Sequence, residues 1–163
     1  MEDVQRNTTA EIRAAVENFF KRDKVKHSPF DKHNIASAAY SIETKFKHAR
    51  VFFHAYKNKL IVRIKIPLNA GEEECLKVAE FLHRANYGLQ IGCFDFDFDS
   101  GEISYRISIF CGEEDFAPPT YEQIDYAVII GLNMIEKYGD SLVKVLFGLV
   151  EPTDAIEDAE KDD

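Results

Sequence analysis

An antiparallel α+β domain is the fold class this sequence predicts, and three observations carry it. The hydrophobic period changes from helical to two and back in the order α-βββ-α-ββ-α. The strands thus come in two runs separated by one helix, whereas a doubly wound parallel sheet would alternate strands and helices one by one. Second, Phe94-Asp95-Phe96-Asp97-Phe98-Asp99 alternates strictly, which sends every Phe to one face of a strand and every Asp to the other. Third, 163 residues at 45% hydrophobic content, with 13 Phe and 7 Tyr, can bury on the order of 70% of the unfolded surface around a single core.

Each element has its own signal. Thr8-Thr9-Ala10-Glu11 reads as a capping box, and Ile12, Ala15, Val16, Phe19 and Phe20 form the buried stripe of a first helix from about Thr9 to Asp23. Turn chemistry follows at His27, Ser28, Pro29 and Asp31. Ala38, Tyr40, Ile42 and Phe46, then Val51, Phe53 and Ala55, then Leu60, Val62, Ile64 and Ile66 alternate with polar or smaller residues, a three-stranded meander turning near Lys47-His48 and Lys57-Asn58-Lys59. Pro67 ends it. Glu72-Glu73-Glu74 suits the positive end of a second helix, whose stripe is Cys75, Val78, Ala79, Leu82 and Ala85 and whose stop is Tyr87-Gly88.

The Phe/Asp strand then enters a hairpin. A turn at Ser100-Gly101 would set Phe98 opposite Ile103, Phe96 opposite Tyr105, Phe94 opposite Ile107 and Asp95 opposite Arg106. After the polar loop 112–115, Pro118-Pro119-Thr120 opens a third helix, with Thr120 and Gln123 as a capping pair, Tyr138 near its end and Gly139 as its stop. A short apolar element, Leu142 to Leu149, closes a domain of residues 1–150. Residues 151–163 hold seven acids and one Lys and read as a flexible acidic tail, too poor in apolar surface to offset its ordering entropy.

The net charge of −9 is unevenly distributed: residues 21–65 carry +9 and residues 66–163 carry −16. The start of the chain lacks a basic, apolar signal sequence and no apolar run reaches a membrane span, so a cytoplasmic protein is expected. Three cysteines without Cys-x-x-Cys spacing argue against a disulfide scaffold or zinc ribbon. Asp95, Asp97 and Asp99 have the opening spacing of a calcium loop. However, the glycine comes at Gly101 and Arg106 takes the place of the bidentate Glu, so no metal is expected there. His27, His33, His48, His54 and His83 show no close ligand spacing. No phosphate-binding glycine loop, nucleophile elbow or paired-carboxylate motif is present, and no catalytic residue or cofactor is expected.

Two surfaces stand out. On the outer face of the meander, tight turns would align Lys45, Arg50 and Lys65 in one cross-strand row, with Arg63, Phe52, His54 and Tyr56 nearby. Like charges facing one another are unfavourable unless an anion answers them, either Glu43, Asp95, Asp97 or the tail, or an acidic partner. On the third helix, apolar residues cover roughly 200° of the wheel, about twice the stripe one sheet needs. Tyr126, Ile129, Ile130 and Met134 are therefore the expected dimer contacts.

The chain resembles the YbjN family, the bacterial sensory-transduction regulators. The resemblance lies in Asn86-Tyr87-Gly88-Leu89, in Gly92 with Phe94, and in Asp99-x-Gly101-Glu102-Ile103-x-Tyr105-Arg106, preceded by Ala79-Glu80-Phe81-Leu82. It implies a type III secretion chaperone-like fold, a twisted antiparallel sheet packed by helices and usually dimeric. It also implies structural roles for Gly88, Gly101 and Tyr105 and a pair between Arg106 and Asp95. The expected function is a non-enzymatic, chaperone-like protein-binding module with a regulatory or escort role, whose partner is a protein or peptide, an acidic one being a candidate. The alternatives are an RNA-associated protein using Lys45, Arg50, Arg63 and Lys65, or a small enzyme with an unrecognised cleft.

Overall fold

The computed structural model describes residues 7–112 and 117–161. The elements are α1 (Thr8–Arg22), β1 (Ile35–Ser41), β2 (His48–Ala55), β3 (Lys59–Lys65), a 3-10 turn (Glu72–Glu74), α2 (Cys75–Gly88), β4 (Cys93–Phe96), β5 (Ile103–Phe110), α3 (Tyr121–Leu146) and α4 (Pro152–Ala159). One antiparallel sheet runs β1-β2-β3-β5-β4. The antiparallel α+β class follows.

Strand parity builds the core. Val51 and Phe53 on β2, Leu60, Val62 and Ile64 on β3, and Tyr105 and Ile107 on β5 are buried against Ile12, Val16, Phe19 and Phe20 of α1, Phe81 and Leu82 of α2, and Ile124, Val128 and Ile135 of α3. Ring contacts tie the layers together: Phe20 meets Phe53 edge-on at 4.9 Å, and Phe94 meets Tyr138 at 5.6 Å. The helices that touch the sheet all use its inward side chains, so among the described residues its other face carries no helix.

Several boundaries differ from expectation. Asn7, not Thr8, caps α1, its side chain accepting from the Ala10 N–H. At α3 the capping box of Thr120 and Gln123 forms as expected, but the helix passes through Gly139 and absorbs the apolar element after it. Gly139 is buried in close approach to Phe46 and Thr44, where a Cβ would stand 3.2 Å from the Phe46 ring. The glycine admits a neighbour instead of ending the helix. The breadth of α3 also gains an explanation. Over 26 residues, about 39 Å, its buried residues from Ile124 to Val145 keep to one side, and that side packs on α1, β3, β5, α2 and α4 together.

The flexible tail is corrected over Pro152–Ala159, which is helical. Pro152 and Ala155 are buried and Ile156 packs against the core. The Tyr138 hydroxyl donates to Glu160 at 2.7 Å, while Lys144 pairs with Asp158 at 2.7 Å and Lys77 with Glu151 at 2.9 Å. Counting acids missed the three apolar residues that fall on one face of this helix.

The β4–β5 hairpin keeps the predicted faces but shifts its register by two residues: Phe94 faces Tyr105 and Phe96 faces Ile103. The turn is the cause. Asp97 closes it, its N–H donating to the Glu102 carbonyl at 3.0 Å and its carboxylate accepting from the Asp99 N–H and the Ser100 hydroxyl. Four residues, Phe98 to Gly101, form the loop instead of two, and Phe98 is left exposed rather than in the core. Gly101 has φ +69° and is buried under Ala70. Of the polar loop, residues 113–115 lie outside the described residues.

Candidate functional site: the open face of the sheet

Parity that sends Val51, Phe53, Val62, Ile64 and Tyr105 inward sends Arg50, Phe52, His54, Ile61, Arg63, Lys65 and Arg106 outward. Three cross-strand rows result: Arg50 with Lys65, Phe52 with Arg63, and His54 with Ile61. Ile35 of β1 extends the third row by pairing with His54. Tyr56, just beyond β2, packs on His54 with ring centroids 3.9 Å apart and the planes tilted by 32°. A cavity of ≈ 210 Å³ opens over these rows, lined by Ile35, Phe52, His54, Tyr56, Ile61 and Arg63, with Lys65 and Glu102 at one end.

Lys45 does not join the row. The strand ends at Ser41, Arg50 faces Ala39, and residues 42–47 form a loop held to α3. The Glu43 N–H donates to the Glu136 carboxylate at 2.8 Å and the Lys45 N–H to the Asp140 carboxylate at 2.9 Å, while Lys47 turns the chain at φ +64°. Phe46 is buried by this arrangement, and no tight Lys47-His48 turn remains. The other six predicted residues, Arg50, Phe52, His54, Tyr56, Arg63 and Lys65, come together.

The cations are answered unequally. Asp95 is the hub of one network, 2.6 Å from Arg106 Nε and 3.0 Å from Arg63 Nη1, with Ser104 accepting from Arg63 at 2.7 Å. This carboxylate separates two guanidiniums that strand pairing sets face to face, Arg63 and Arg106. Burial alone would raise the Asp95 pKa, but the hydrogen bond and charge of Arg106, aided by Arg63, outweigh it and hold it below the usual carboxylate range. Lys65 pairs with Glu102. Arg50 faces Lys65 and has no carboxylate partner among the described residues. Glu43 does not compensate it, because its loop is directed to α3. Burial lowers the His54 pKa, so the imidazole is neutral near pH 7 and adds no charge to the cavity.

Asp95 is one of the anions the sequence offered to this row, and it pairs with Arg63 and Arg106; Ile35, Ile61 and Glu102 are the site residues the sequence reading left out. Ile61 carried a legible signal, since it is an outward position on β3 filled by a β-branched apolar residue. Glu102 carried none, because its contact with Lys65 depends on the hairpin loop. The thiol of Cys93 lies 3.2 Å from Arg106, and burial pushes its pKa up, leaving a protonated side chain beside the network. Cys111 lies on the opposite, core side, as parity predicts.

The second predicted surface lies on α3. Tyr126 and Ile129 are exposed, 61% and 45%, whereas Ile130 and Met134 are half-buried against the core. Tyr126 and Ile130 line an apolar groove with Ile91, Ile107 and Phe110.

A five-stranded antiparallel sheet with helices on one face defines a type III secretion chaperone-like α+β fold. Among solved structures, the chain is similar to one described as "Crystal Structure of the ExsC-ExsE Complex", with a TM-score of 0.53 and 16% identity over 82% of this chain and 94% of that chain. At that identity the likeness is one of fold. No family model and no curated protein matches the chain.

Proposed function

We propose that this protein is a non-enzymatic, chaperone-like protein-binding module that receives an acidic segment of a protein partner on the open sheet face, in a regulatory or escort role of the YbjN kind. The observation that carries the reading is the charge balance of that face. Among the described residues, Arg50, Arg63, Lys65 and Arg106 face only the carboxylates of Asp95 and Glu102, and Arg50 has no carboxylate partner. A partner bringing carboxylates to the Arg50–Lys65 row supplies the missing anions. Protein is favoured over RNA because Asp95 and Glu102 stand among the cations, where they would repel a phosphate backbone. The test is a titration with a glutamate-rich peptide at low and high salt. Binding that weakens with salt and is lost on Arg50→Glu supports the reading, and equal binding by wild type and variant contradicts it.

The exposed pair Tyr126 and Ile129, flanked by Ile130 and Met134, supports assembly as a homodimer through α3. Ile129→Asp is the suitable probe, because a side chain already 45% exposed can carry a charge without unfolding the monomer. Sedimentation is expected to report dimers for the wild type and monomers for this variant. A wild type that sediments as a monomer at every concentration refutes the dimer.

A further inference from the structure

The three outward rows of β2 and β3 differ in chemistry, and their order suggests what the partner segment carries. The row of Ile35, His54 and Ile61, closed by Tyr56, is apolar and aromatic, whereas the row of Arg50 and Lys65 is cationic. Between them lie Phe52 and Arg63, the latter occupied by Asp95 and Ser104. The cavity of ≈ 210 Å³ covers the apolar and middle rows and reaches Lys65, with Arg50 outside its lining. It is smaller than the roughly 300–1,000 Å³ typical of small-molecule sites and suits a single side chain. Along β2, Arg50 and His54 are four residues apart, a separation of about 13 Å at ~3.3 Å per residue.

Resting on the protein-partner reading above, we infer that the groove recognises an extended acidic segment in which an aromatic side chain and a carboxylate stand four residues apart. In an extended chain, residues i, i+2 and i+4 share one face and advance at the same pitch as the rows beneath them. An aromatic ring at i therefore enters between Ile35, Ile61, Tyr56 and His54, while the carboxylate at i+4 reaches Arg50 and Lys65. The ring gains apolar burial and edge or face contacts with the paired rings of His54 and Tyr56. The carboxylate answers Arg50. The middle position carries no charge requirement, because Arg63 already has its anion. Reading the segment in the opposite chain direction exchanges i with i+4 and leaves the spacing intact.

The test uses dye-labelled peptides of one length, read by fluorescence anisotropy on the full chain. One series places Phe and Glu four apart in either order, a second places them at adjacent positions, a third replaces Phe by Ser, a neutral peptide replaces every acid by its amide, and an oligouridylate serves as the RNA probe. The four-apart peptide, in at least one order, is expected to bind roughly tenfold tighter than the other two peptides, an increment within the range for burying one large apolar side chain. Ile61→Ser should reduce it to the affinity of the Phe-less peptide without changing the latter. Tyr56→Ala, at a side chain 37% exposed, provides the same readout should the first variant fold poorly. Equal binding by all acidic peptides, each sensitive to Arg50→Glu, overturns the spacing rule and leaves the acidic-partner reading standing. Binding no tighter than that of a neutral peptide overturns both, as does a preference for the oligouridylate.

Discussion

Gly101→Val is expected to destabilise the protein by about 3 kcal/mol, combining backbone strain with a buried clash. At φ +69° an L-residue is strained, and a Cβ here would overlap the Ala70 carbonyl, which is main chain and cannot swing aside. The same glycine donates to the Asp97 carbonyl and accepts from the Ala70 N–H, both at 2.8 Å. It therefore joins the hairpin turn to the chain leading into α2. The melting temperature, followed by circular dichroism, should fall by about 10 °C. Gly88→Ala is the control: nothing lies within 4 Å of that Cβ, φ is not positive, and the residue is helical. A melting temperature for Gly101→Val close to that of wild type would mean that the hairpin turn is not built as described.

Removing residues 151–163 is expected to cost about 2 kcal/mol, although the segment is rich in acids. The exposed ion pairs Lys77–Glu151 and Lys144–Asp158 contribute little. Most of the cost comes from uncovering the surface of α2 and α3 beneath Pro152, Ala155 and Ile156, and from leaving the Tyr138 hydroxyl without Glu160. Ordering of the short helix offsets part of this. Chemical denaturation should show a lower midpoint for the truncated chain. An unchanged midpoint would restore the description of the segment as a free tail.

The elements that were legible in the sequence are those fixed by period. Alternation at Val51–Phe53 and Leu60–Val62–Ile64 settled which face of the meander is buried, and hence that Arg50, Phe52, His54, Arg63 and Lys65 share the other. Parity also survived at the hairpin, where a slip of two residues leaves every face unchanged. Loop geometry was not legible. The turn chosen by Asp97 and the loop by which residues 42–47 dock on α3 depend on hydrogen bonds to specific carboxylates and carbonyls. Those contacts removed Lys45 from the cationic row and brought Glu102 into it. Gly139 misled for a related reason, since a glycine chosen for close approach to Phe46 has the same sequence signature as a helix stop. Length and composition likewise concealed α4, because three apolar residues on one face suffice when the surface they cover is already formed.

The central claim is that the open sheet face is the docking surface, and it is tested most directly by amide NMR of the isotope-labelled full chain titrated with the four-apart Phe/Glu peptide. Shifts are predicted to concentrate at Arg50, Phe52, His54, Ile61 and Lys65 and to disappear in Arg50→Glu. Shifts concentrated instead at Tyr126, Ile129 and the α3 groove, with the sheet face unmoved, would contradict the account.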